Sequence, residues 1–150
     1  MRSTLVIAFS LCLLLGLHPS SGVGESQRAQ ARSADTAALD HGRYLVEEVA
    51  KCAECHTPRD ADNQLDRSRW LQGAPIWIQS VHLTPNWAQF APSLAGLPGF
   101  SDEQMQRILE QGLGANGHEI EPPMHVYHLN HGDAQAIVAY LRSLPATATH

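Results

Sequence analysis

Residues 52–56 read Cys52-Ala53-Glu54-Cys55-His56. Two cysteines three positions apart, followed at once by a histidine, form the C-x-x-C-H pattern of covalent haem c attachment. The chemistry explains the spacing. Each thiol can add to one haem vinyl group, and the adjacent imidazole then reaches the iron as proximal ligand. Other chemistries share part of the pattern. A redox-active dithiol normally sits in a βαβ context, and none is visible here. Zinc needs four ligands, so later histidines would have to complete a site begun by one cysteine pair. A plain structural disulfide also suits an oxidising compartment.

Working outward, the pattern lies at the end of a periodic segment. Tyr44, Leu45, Val49 and Cys52 recur at helical spacing, with Glu47, Glu48 and Lys51 on the wet side, which predicts a helix over 39–53. A second helix follows Gly99-Phe100. Ser101 and Gln104 make a capping box, Met105, Ile108 and Leu109 form the apolar stripe, and Gly112 stops it. Asn130 caps a third, lined by Ala134, Ile137, Val138 and Leu141. Arg142 complements its last turn and Pro145 ends it. Between the first two helices runs a long stretch, 57–98, with five prolines and all three tryptophans and no clear strand. A loop of that length belongs in a compact domain only if it serves a site or wraps something. A flat apolar cofactor satisfies that condition and adds core to a chain with few large apolar side chains.

The chain has 150 residues, enough for one domain. Ten Lys and Arg against fifteen Asp and Glu give a net charge of −5, which argues against nucleic acid as a partner. The first residues carry Arg2 and then the apolar run 5–17, LVIAFSLCLLLGL. That run is shorter than the ~20 residues of a membrane span. With the small polar residues 18–24 behind it, it reads as a secretory signal over 1–24, and Cys12 leaves with it. An uncleaved anchor is the other reading. Residues 25–36, polar and alanine-rich, read as a flexible lead-in. The domain proper is expected over 37–146, with a tail at 147–150. The mature part then keeps only Cys52 and Cys55.

A sixth iron ligand has two methionine candidates in that part. Met105 lies on a helix stripe and reads as packed core. Met124 lies in the proline-stiffened loop Glu121-Pro122-Pro123-Met124-His125-Val126-Tyr127, which can hold a thioether toward the iron. His118, His125, His128 and His131 crowd the same region, and His125 is the natural competitor.

Taken together, CAECHTPRD (52–60), HLTP (82–85), FSDEQMQRILEQG (100–112), EPPMHVY (121–127) and DAQAIVAYLRSLP (133–145) resemble class I c-type cytochromes. More narrowly, they resemble the mono-haem domains in cytochrome subunits of bacterial membrane-bound alcohol, gluconate or aldehyde dehydrogenases. The resemblance implies an all-α cytochrome c fold, three main helices and long loops wrapped around one covalently attached haem. It also implies that Gly42 and Tyr44 meet Tyr140 and Leu141 where the first helix crosses the last. Pro58 would shape the proximal wall, where a backbone carbonyl accepts the ring N–H of His56. Arg59 and Trp70 would face a haem propionate. This chain departs from the pattern in having His125, not proline, after Met124. It has one C-x-x-C-H motif where three-haem relatives have three.

The expected function is that of a periplasmic one-electron carrier with His56 and Met124 as axial ligands, an electron-transfer protein or subunit rather than an enzyme. The alternative is a haem enzyme or sensor with a labile sixth ligand acting on peroxide or a small gas. Expected partners are redox proteins: a dehydrogenase, an oxidase or another cytochrome. Membrane contact would come only through a partner or an uncleaved signal. Lys51 is the single lysine, so the chain cannot present the lysine ring of mitochondrial cytochrome c.

Overall fold

The computed structural model describes residues 22–146. The signal reading up to residue 21, Cys12 included, and the tail 147–150 lie outside the described residues. The fold is all-α, with three long helices. Helix α1 (Gly22–Tyr44) runs into a π-helical turn at Leu45–Val49, and the one-turn helix α2 (Ala53–His56) follows. Helices α3 (Asp102–Gln111) and α4 (His131–Ser143) complete the set. Two two-residue strands, β1 (Ala74–Pro75) and β2 (Phe90–Ala91), pair antiparallel inside the long loop, with Ala74 opposite Ala91. No described helix is long and apolar enough to cross a membrane.

Two expectations about the first helix need correction. It begins at Gly22, not Leu39, and so includes residues 25–36. That segment is rich in Ala, Gln and Arg, which are strong helix formers, but it lacks an apolar stripe. Every side chain from Gly24 to Ala38 is exposed, so the segment packs on nothing among the described residues. The helix also ends before Cys52. The wider π turn shifts the buried face onto Leu45 and Val46 and leaves Tyr44 and Val49 more than half exposed. Lys51 then takes a left-handed conformation, with φ of 52°, and the Cys52 N–H closes back on the Val46 carbonyl at 3.0 Å.

The capping signals in α3 and α4 are realised. Ser101 Oγ accepts the Gln104 N–H at 3.2 Å, and Gln104 Oε1 accepts the Ser101 N–H at 2.8 Å. Asn130 Oδ1 accepts the Asp133 N–H at 2.9 Å. Gly112 ends α3 with φ of 70°. Arg142 does more than complement its own helix. Its guanidinium reaches Asp102 at 2.7 Å and the carbonyls of Gly96, Leu97 and Phe100, so it ties the end of α4 to the start of α3.

Helix α1 crosses α4 at Gly42, as the resemblance implies. A Cβ at this position would lie 1.9 Å from the Ala136 carbonyl oxygen and 2.9 Å from Tyr140 Cβ. The missing side chain sets the helix separation, and two polar contacts lock the crossing. His41 Nε2 meets Asp133 Oδ1 at 2.7 Å, and the Tyr140 hydroxyl donates to Glu47 Oε1 at 2.6 Å. Burial and that carboxylate push the Tyr140 phenol up to about 12. Val46, Leu71, Leu97, Ile137 and Leu141, all at most 1% exposed, form the centre of the core against this crossing. Gly42→Ala should therefore lower the stability of the haem-loaded protein by about 2 kcal/mol or more, read from its thermal melt. An unchanged melt would show that the crossing tolerates a methyl group.

Candidate haem site

The helix break at Ala50–Cys52 aims the motif residues at the interior. Cys52, Cys55 and His56 share one turn, held by the His56 N–H to Cys52 carbonyl bond at 3.0 Å and the Thr57 N–H to Ala53 carbonyl bond at 3.1 Å. All three line a cavity of about 510 Å3 whose surface is mainly apolar. Organic ligands occupy cavities of roughly 300–1,000 Å3, so a flat macrocycle fits in size and character. The opposite walls come from Met105, Ile108 and Leu109 of α3, Ile137 and Leu141 of α4, and Met124 from the loop before α4.

His56 is fixed on two sides. Its Nδ1 lies 2.8 Å from the Pro92 carbonyl oxygen. A carbonyl can only accept, so Nδ1 carries the proton and Nε2 is the nitrogen able to ligate a metal. Its own carbonyl accepts the Gly73 N–H at 2.8 Å. Burial holds the imidazole below its ordinary pKa, against the opposing pull of the Pro92 carbonyl. The neutral ring is the form that binds a metal. Gly73 makes room for this arrangement. It has φ of 84°, and a Cβ there would lie 2.9 Å from both the Ala91 carbonyl oxygen and the Ser93 nitrogen.

The thiols have the wrong character for the dithiol reading. Burial pushes Cys52 up to about 11. Burial raises Cys55 too, with Glu54 adding to the effect. Redox-active pairs instead lower a thiol pKa to expose a thiolate. Both cysteines are free, so they form no disulfide with each other. The described residues contain no group of three or more His, Cys, Asp or Glu able to hold a metal ion, so zinc lacks its ligand set there.

The loop histidines scatter. His131 pairs with Glu110 at 2.8 Å, and His118 and His128 are exposed. His125 does line the cavity, with its ring 4.1 Å from that of Tyr127. Met105 also reaches the wall, but at 3% exposure it belongs to the buried core cluster.

Pro58, Arg59 and Trp70 are not brought to the cavity wall. The proximal carbonyl is that of Pro92, while the Pro58 carbonyl accepts the Asp66 N–H at 2.8 Å. Trp70 packs against the core under Arg67, whose guanidinium lies 4.0 Å from the ring centroid. Arg59 holds Glu54 at 2.9 Å and the Asn63 carbonyl at 2.9 Å, and lies 5.0 Å from the Trp77 ring centroid, with its Nε buried and without a partner.

Sequence reasoning missed Tyr127. It sits three residues after Met124, lines the cavity, and donates its hydroxyl to the Ala50 carbonyl at 3.0 Å. Burial, then the two cysteines, push this phenol up to about 12, so it stays a donor at neutral pH. A second tie joins the same loop to the far wall, from the Ala88 N–H to the Pro122 carbonyl at 2.7 Å. Met124 is thus held on both sides. Tyr127→Phe should loosen this loop and weaken any optical signal of Met124 sulfur on iron. Tyr140→Phe, which removes a similar bond at the helix crossing, should leave that signal unchanged. Equal effects in the two variants would deny Tyr127 a special part.

The comparisons with known proteins agree with this geometry. Residues 39–145 match the family described as cytochrome c. The chain is 37% identical over 114 residues to a fructose dehydrogenase cytochrome subunit of Gluconobacter japonicus, covering 73% of this chain and 22% of that protein. It is 32% identical over 113 residues to a diheme cytochrome c-type of Cereibacter sphaeroides, covering 71% of this chain and 36% of the relative. It is 32% identical over 118 residues to a gluconate 2-dehydrogenase cytochrome c subunit of Pantoea cypripedii, covering 72% and 26%. The matched part spans between about a fifth and just over a third of the length of these relatives.

Proposed function

Because the chain belongs to the cytochrome c family, we propose that it is a periplasmic one-electron carrier with a single haem c. Cys52 and Cys55 would hold the group through thioethers, and His56 and Met124 would ligate its iron. One observation carries this reading: all four side chains line the same apolar cavity.

The group, when bound, supplies a reversible Fe(III)/Fe(II) couple. The chain's own residues set its properties. The Pro92 carbonyl orients the His56 ring and raises its basicity as a ligand. Met124 would supply a soft thioether to the iron, which favours the reduced state. The apolar walls exclude water and lower the local dielectric. The N-terminal apolar run supports export, and the named functions of two relatives support a dehydrogenase as electron donor. The acceptor would be an oxidase or another cytochrome.

In the purified exported protein, Met124→Ala should remove the weak near-infrared sulfur-to-iron band. The potential should fall on the order of 0.1 V, within the ~0.8 V over which axial ligands tune haem. If Met105→Ala removes the band and Met124→Ala does not, the ligand assignment is wrong. A band that neither variant touches, or high-spin iron in the parent, would contradict His/Met ligation altogether.

A further inference from the structure

Between Arg69 and Asp102 the chain carries no Asp, Glu, Lys or Arg. All the formal charge lies outside this segment. Yet four of the six large apolar side chains exposed among the described residues fall inside it: Trp77, 61% exposed; Val81, 90%; Leu83, 104%; and Phe90, 57%. Such a concentration on a chain of net charge −5 is not the ordinary scatter of single surface hydrophobics.

The segment forms a closed loop at the cavity rim. Its ends are joined by the Ile76 N–H to Gln89 carbonyl bond at 3.0 Å. Ser80 and Thr84 hydroxyls bond across the tip at 2.7 Å, and the Trp87 indole donates to the Ile78 carbonyl at 3.3 Å. Ile76, Ala88 and Phe90 at the base line the cavity, and Phe90 is exposed as well, so it marks the rim. The Trp77 indole donates to the Glu54 carbonyl inside the C-x-x-C-H turn at 3.3 Å. The loop therefore rests against the motif on one side and, through Ala88, against the Met124 loop on the other. Val81 and Leu83 extend from it with no side-chain partner.

We infer that the exposed apolar face of residues 76–90, centred on Trp77, Val81, Leu83 and Phe90, is the docking surface for the redox partner, and that this partner presents an apolar, uncharged patch. The inference rests on the carrier reading proposed above. Electron transfer weakens steeply with distance, so a partner must sit where the cavity meets the surface, and this loop forms part of that rim. The occupant's chemistry follows from charge. A cationic or anionic partner face would be desolvated against a loop that carries no formal charge, and the Arg59 beside Trp77 is already paired with Glu54 at 2.9 Å. An anionic lipid surface fits poorly, because no Lys or Arg in the segment attracts it. Contacts of this kind are small and short-lived, as a carrier's turnover requires.

The test compares the full haem-loaded protein with Val81→Asp/Leu83→Asp, two positions so exposed that the fold does not depend on them. The probe is a blue-copper protein with an apolar, uncharged face over its copper, mixed by stopped flow. The parent's exchange rate should change little between about 0.01 and 0.5 M salt. The double variant should be slower by about tenfold or more, with unchanged spectrum, potential and rate of reduction by dithionite. Equal rates in parent and variant, or a steep fall of the parent's rate with salt, would overturn the proposal. Two other results would also overturn it. One is parent-only pelleting with phosphatidylglycerol/phosphatidylethanolamine vesicles, which would assign the face to lipid. The other is a parent-only dimer in sedimentation, which would assign it to a second copy. A protein without covalent haem, or one that dithionite cannot reduce, would refute the carrier reading before the docking experiment began.

Discussion

Helices α3 and α4, the C-x-x-C-H turn, the long proline-rich loop and the Met124 loop all contribute walls to one apolar space. Protein interiors are packed nearly as densely as organic crystals. Apolar walls left against water are unfavourable, so a cavity of about 510 Å3 with mainly apolar walls is stabilised by an apolar group of matching size.

From that constraint the other features acquire a reason. The glycine-mediated crossing of α1 and α4 fixes one side of the frame, and the Arg142 tie between α4 and the start of α3 fixes another. The long proline-rich loop supplies the Pro92 carbonyl that orients His56, and its base closes the rim. Tyr127 joins the Met124 loop to the helix break that presents the cysteines. His56 and Met124 are thereby held by contacts reaching across the site, not by their local sequence alone.

What the sequence revealed and what it hid follow one physical division. Side-chain signals were legible. The C-x-x-C-H motif, the Ser101–Gln104 box, the Asn130 cap and the apolar stripes of α3 and α4 all stand where the pattern placed them. Backbone events were not. The Pro92 carbonyl carries no residue-type signal, because every residue has one. The π turn at Leu45–Val49 rotates the buried face, so a regular period wrongly assigned Tyr44 and Val49 to the core. The start of α1 was hidden for another reason: its alanine- and glutamine-rich segment has helix propensity but no apolar face to reveal it. Tyr127 was visible as a residue, but its role depends on the Ala50 carbonyl, 77 positions away in sequence. The resemblance carried the helix crossing at Gly42 correctly.

Haem is expected to be the core of this domain and not a passenger in it. Thermal unfolding of the chain prepared without haem, followed by circular dichroism beside the loaded protein, tests this directly. The loaded form should show a sharp cooperative transition. The haem-free chain should lose most of its helix and show no cooperative melt. A compact haem-free form that melts cooperatively with near-native helix content would contradict it.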